Sequence, residues 1–259
     1  MNAPTAPVGG EVSAPVRLQS HVWNPSGAGR ALLLHGLMSD GATWWRLAAE
    51  LADAGWMVVA PDLRGHGRSP AGGRHDLATL AGDVAALGAE WDLVVGHSLG
   101  GAVAAWLLAD HHPIGGAVLI DPVLRLEGAM REELRRRLRA EAGGVDPAEL
   151  ARRHPEWDER DVWRKVLATR LTGPDVVDAV LDDNDPWDLT PLGEGWLARV
   201  HLLAADPAKG ATLRMELAER LAEEGPATTY EVVTGCGHSI HRERPEVVDG
   251  AVRRVLEGR

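Results

Sequence analysis

Apolar positions follow two rhythms along this chain. Short, nearly continuous apolar runs occupy residues 31–34, 56–60, 92–95, 117–120 and 200–205. Runs of that length without alternation are expected of strands covered on both faces. Between them the spacing changes to that of a helix. Trp44, Leu47, Ala48 and Leu51 share one helical face, as do Leu77, Leu80, Ala81 and Val84, and then Leu99, Ala102, Val103 and Trp106. Residues 16–23 read as a first strand and 228–234 as a last one, with helices over 211–223 and 245–256. Gly55 and Gly88 stand where helices should end. Strands alternating with amphipathic helices imply right-handed crossovers and an α/β fold with a mostly parallel twisted sheet.

The rhythm breaks over 123–196, which is charged, helical and without a convincing strand. Four helices are expected there. Asp146-Pro147 opens the second with an N-cap and a proline in the first turn, and Asp158 caps the third. The inner face of that third helix is read as Val162, Trp163, Val166 and Leu167, and Arg135-Arg136-Arg137 as a solvated face. The domain reading is therefore a core of 15–122 and 197–259, a helical cap inserted at 123–196, and a disordered tail at 1–14.

Composition narrows the function classes. The formal charge of -11 speaks against nucleic acid or an anionic membrane surface as partner. No apolar run reaches the roughly eighteen residues of a membrane span, and residues 1–15 lack the basic and apolar regions of a secretory signal. The single cysteine, Cys236, cannot form an internal disulfide, and a cytoplasmic protein is expected. No histidine pair has metal-ligand spacing with a carboxylate, and no dinucleotide fingerprint opens the first strand–helix unit. Neither metal nor cofactor is expected.

The chemistry centres on Gly96-His97-Ser98-Leu99-Gly100, a G-x-S-x-G between a strand and a helix. So sharp a turn pushes the serine hydroxyl away from both elements, beside the unpaired first amides of the helix. The glycines admit a close approach that a Cβ would block. This is the arrangement of a nucleophile elbow.

Five segments carry a family resemblance: LLLHGLM at 32–38, DLRGHGRS at 62–69, GHSLGG at 96–101, LLAADP at 202–207 and GCGHS at 235–239. In this order they resemble the α/β-hydrolase superfamily, in its branch of capped single-domain serine hydrolases. The resemblance implies a Ser–His–Asp triad and a sheet of eight strands, of which the pattern places seven. Ser98, Asp206 and His238 stand in the order Ser, acid, His, each just after an expected strand. Asp121 also follows a strand and is the alternative acid; otherwise it is an N-cap or loop residue at the cap hinge. The oxyanion hole should use the backbone amides of Leu37 and Leu99, with Met38 next. His97 is read as packed inside the elbow, His241 as a surface residue, Cys236 as filler, and the 62–69 loop as a brace between loops. Trp44, Trp45, Trp157, Trp163 and Trp187 are candidates for an apolar substrate pocket.

The expected activity is hydrolysis of small, largely apolar carboxylic esters or lactones through an acyl-enzyme. C–C bond hydrolysis or a lyase reaction on the same triad is the alternative, favoured if a cap arginine turns inward toward an anionic substrate. A non-catalytic scaffold of the same fold is the third reading.

Overall fold

The computed structural model describes residues 13–88, 90–225 and 227–257. The expected tail at 1–14 falls outside them except for Ser13 and Ala14. Both of those are fixed: the Ser13 hydroxyl accepts from the Arg74 amide at 2.9 Å, and the Ala14 carbonyl from Arg64 at 3.0 Å.

The core opens with β1 (Ser20–Trp23), β2 (Gly29–Leu34), α1 (Trp45–Asp53), β3 (Trp56–Pro61) and α2 (Leu77–Ala85). It continues through β4 (Leu93–His97), α3 (Leu99–Ala109) and β5 (Gly116–Ile120). After β5 come β6 (Arg125–Leu126), α4 (Gly128–Glu141), α5 (Pro147–Arg153), α6 (Glu159–Leu171), α7 (Pro174–Asp183) and β7 (Trp187–Asp188). The core then resumes with β8 (Arg199–Ala205), α8 (Met215–Glu224), β9 (Thr228–Val233), α9 (Ile240–Glu243) and α10 (Pro245–Glu257).

Seven strands form one sheet in the order β1-β3-β2-β4-β5-β8-β9. Only β1 runs antiparallel, against β3; the other pairs are parallel. The apolar runs are two-sided, as their lack of alternation required. Leu32 and Leu34 of β2 face the layer of α2 and α3, while Ala31 and Leu33 face α1 and α10. Leu119 and Ile120 of β5 divide in the same way. Each such leucine, fully buried, contributes about 1.5–3 kcal/mol.

Between β5 and β8 the four expected helices form, with two short strands the pattern did not show. β6 and β7 pair antiparallel where the segment leaves and re-enters the core. The Trp187 indole donates to the Val123 carbonyl at 2.8 Å and tightens that neck. Asp146 and Asp158 cap α5 and α6 as read, accepting from the amides of Glu149 and Arg160. Arg135 is not simply solvated: it joins α4 to α7 through Asp178 at 2.9 Å and Asp182 at 2.5 Å. The inner face of α6 is also narrower than expected. Val162 and Val166 are buried, but Trp163 is 53% and Leu167 45% exposed.

Candidate active site

The site lies where β2, β4, β5, β8 and β9 present their carboxyl ends, as ligand sites of open parallel sheets do. Ser98 follows β4 with φ +53 and ψ -114, a strained conformation for a residue with a Cβ. The turn is held by the Ser98 amide on the Ile120 carbonyl at 3.0 Å, and by Ala102 and Val123 amides on the Ser98 carbonyl. A Cβ on Gly100 would stand 2.2 Å from the Leu34 carbonyl oxygen, and one on Gly96 2.5 Å from that of Gly100. Helix and sheet therefore meet at backbone distance, with the serine at the apex.

His238 sits in the loop after β9, as expected. Its Nδ1 bonds Oδ2 of Asp121 at 2.6 Å. Asp121 is fully buried and surrounded by donors: the Thr212 amide at 2.9 Å, Leu213 at 3.1 Å and Ala205 at 3.2 Å. Burial pushes its carboxyl up, but the hydrogen bond and charge of His238 and the two loop amides outweigh that and hold it below its ordinary value. Asp121 too has a positive φ, +40, so its position is imposed by its surroundings.

The expected acid, Asp206, is elsewhere. Its carboxylate caps the short turn Pro207–Lys209 through the Ala208 amide at 2.8 Å and takes the Gly235 amide at 2.7 Å. It has no bond to His238. The loop it starts folds back so that Thr212 and Leu213 enclose Asp121. The carboxylate on the histidine is thus the alternative, one strand nearer the nucleophile.

The backbone amides of Leu37 and Leu99 have no protein acceptor among the described residues, and both residues border the same cavity as Ser98 and His238. The loop carrying Leu37 is braced from beneath. The buried His35 ring lies between the Gly36 carbonyl, 2.8 Å from Nδ1, and the Leu63 amide, 2.9 Å from Nε2, and burial holds it neutral. Asp62 accepts from the amides of Gly41 and Arg68, and Arg64 forks onto Asp83 at 2.7 Å twice. The 62–69 loop is the brace it was read to be.

His241, expected at the surface, is enclosed. Its ring packs 5.0 Å from Trp44 and 4.4 Å from His97, and neither ring nitrogen has a partner. Burial, then the charge of Arg242, keeps it neutral. His97 is buried against His238, whose carbonyl it meets at 3.0 Å. Cys236 is a packed thiol that burial and Glu243 push up to about 12.

The cavity encloses about 330 Å³ between the core loops and the inserted helices. Of the tryptophans proposed for it, Trp157 and Trp187 border it. Trp44 is core packing against α10, and Trp45 donates to Asp161 at 2.9 Å between two arginines. Trp163 faces outward, in a separate groove with Leu167 and Arg170. The lining is more polar than expected. Lys165 of α6 reaches the Met38 carbonyl at 3.3 Å and pairs with Glu141 of α4 at 2.8 Å. Arg242 of α9 reaches in from the histidine side. One cluster with metal-ligand chemistry occurs among the described residues: donor atoms of His154, Glu156 and Glu243 lie within 4.8 Å of one another. Glu243 is already bonded to the Gly237 amide at 2.6 Å.

A model of the alpha/beta hydrolase family matches residues 31–251, and the chain belongs to that family. Within it, the chain is similar to lipase LipV of Mycobacterium tuberculosis, 36% identical over 170 residues that make up 62% of this chain and 59% of that protein. It is also similar to the magnesium-chelatase 30 kDa subunit of Rhodobacter capsulatus, 32% identical over 88% of this chain and 86% of that one. A thermophilic esterase from Thermogutta terrifontis superposes with a TM-score of 0.72 at 26% identity, covering 93% of each chain. The chain thus spans less than two thirds of LipV's length. No helix among the described residues is long and apolar enough to cross a membrane.

Proposed function

We propose that the protein is a serine hydrolase of small carboxylic esters or lactones, with Ser98, His238 and Asp121 as its triad. The carrying observation is the 2.6 Å bond from a buried carboxylate to His238, in the cavity that the elbow serine borders. Asp121 accepts from Nδ1 and leaves Nε2 free to act as base. His238 Nε2 takes the Ser98 proton as Oγ attacks the carbonyl. The amides of Leu37 and Leu99 stabilise the resulting oxyanion, each worth about 3 kcal/mol in the transition state. The imidazolium protonates the leaving alcohol, and an acyl-enzyme remains. Water, deprotonated by the same histidine, releases the acid. The helices over 123–196 act as a cap that closes the site from bulk solvent. The similarity to a lipase, LipV, and to the Thermogutta esterase supports ester bonds as the target.

Cleavage of a C–C bond on the same triad is the second reading, and the cationic side chains over the cavity are what favours it. Short p-nitrophenyl esters and a fluorophosphonate probe test the first. Turnover by the wild type, labelling at Ser98, and loss of both in Ser98→Ala are expected. Ester turnover that persists undiminished in Ser98→Ala, or a probe that leaves Ser98 unlabelled, would end the reading.

A further inference from the structure

The cavity beside Ser98 inverts the charge of the chain around it. The protein carries a formal -11, yet Arg137, Arg153, Lys165, Lys209 and Arg242 border this space against the carboxylates of Glu141 and Glu243. Most of these charges are accounted for locally. Lys165 is paired with Glu141 at 2.8 Å, Arg153 with Glu149, and Glu243 holds the Gly237 amide.

Arg242 is different. It is 6% exposed. Its guanidinium lies 4.6 Å from the centre of the Trp157 ring and donates to the Thr43 hydroxyl at 2.8 Å, with the Ser39 hydroxyl at 3.5 Å. Among the described residues it forms no salt bridge to a carboxylate, and its Nε has no acceptor. Asp161, Asp40 and Glu141 act on it only from farther away.

A guanidinium remains charged in any protein environment, and a buried charge without a counter-ion in contact is strongly disfavoured. Nη2 is held by the Thr43 and Ser39 hydroxyls, which leaves Nη1 to donate a charge-assisted hydrogen bond to a carboxylate. Here the guanidinium borders the cavity beside the 39–43 segment, just past the loop that carries Leu37, with the Trp157 ring against it. We propose that Arg242 binds a carboxylate of the substrate, so that the molecule cleaved at Ser98 is a small organic mono-anion such as the half-ester of a dicarboxylic acid. The inference rests on Ser98 as nucleophile for its meaning but not for its test.

The test is calorimetric, on Ser98→Ala, which needs no turnover. Monomethyl glutarate and dimethyl glutarate differ by one charge at nearly constant shape. The mono-anion should bind at least about tenfold more tightly. Arg242→Gln, added to Ser98→Ala and checked for folding by circular dichroism, should remove that preference. Should that chain not fold, Arg242→Lys keeps the charge and loses the guanidinium, and the preference should fall several-fold. Equal affinity for the two esters, or a preference unchanged in the Arg242 variant that folds, overturns the proposal. Either result leaves the fluorophosphonate labelling of Ser98, and with it the hydrolase reading, untouched.

Discussion

Asp121 and His238, separated by 117 positions in sequence, share a 2.6 Å hydrogen bond, while Asp206 spends its carboxylate on two loop amides. The proposed acid therefore stands at the end of β5, next to the strand of the nucleophile, and not at the end of β8.

That placement separates two aspartates by experiment. Asp121→Asn should lower kcat by about a thousandfold or more, because the amide can present the wrong group to Nδ1 and no longer stabilises the imidazolium. Asp206→Asn should stay within a few-fold of wild type, since its bonds are structural. Steady-state hydrolysis of p-nitrophenyl butyrate by both variants measures this, and the reverse ranking would return the role to Asp206.

The brace under the loop that carries Leu37 predicts a stability effect. Arg64 and Asp83 are each about 1% exposed and joined by two 2.7 Å bonds. Arg64→Met leaves a buried carboxylate unpaired and should cost about 3–5 kcal/mol. The double variant Arg64→Met with Asp83→Leu should recover part of that loss, because no buried charge is stranded. Urea unfolding of the three proteins gives the comparison, and a double variant less stable than the single one would contradict it.

A second brace is sensitive to pH. Burial raises the Asp62 carboxyl, but His21 and the amides of Arg68 and Gly41 outweigh it and bring it down to about 2. A depressed carboxyl stabilises the fold above its unfolded value near 3.8 and loses that contribution as pH falls through the folded one. His21 moves the opposite way, raised chiefly by the same bond. Asp62→Asn should therefore cost about 2 kcal/mol at pH 7. The gap to wild type should persist down to about pH 4 and close toward pH 2. Unfolding midpoints at pH 7, 4 and 3 follow it; a gap that widens on acidification would refute the assignment.

Much of this was legible in the chain, and the failures have physical causes. The strands could be read because a sheet covered on both faces leaves an uninterrupted apolar signature. The elbow could be read because glycine and serine spacing encodes a local turn. The pattern put Asp206 ahead of Asp121, whereas the bond to His238 falls to Asp121. Each stands in an Asp-Pro after an apolar strand, and only the return of the 207–213 loop, with its Thr212 and Leu213 amides, marks out Asp121. On α6, spacing alone grouped Trp163 with Val162, yet neighbouring residues are about 100° apart on a helix, enough to place one inside and the other in solvent. Arg242 and Lys165 look like surface charges in sequence. Their burial depends on helices 128–183 lying across the core, and no local pattern carries that.

The position of Asp121 has a consequence for how such a chain can be re-engineered. The inserted helices begin only a few residues beyond it, and Val123 ties that junction to both the Ser98 carbonyl and the Trp187 indole. Exchanging those helices for another set, to alter what the enzyme accepts, must leave 121–123 and Trp187 intact. A crossover two residues earlier would remove the proposed acid together with the helices.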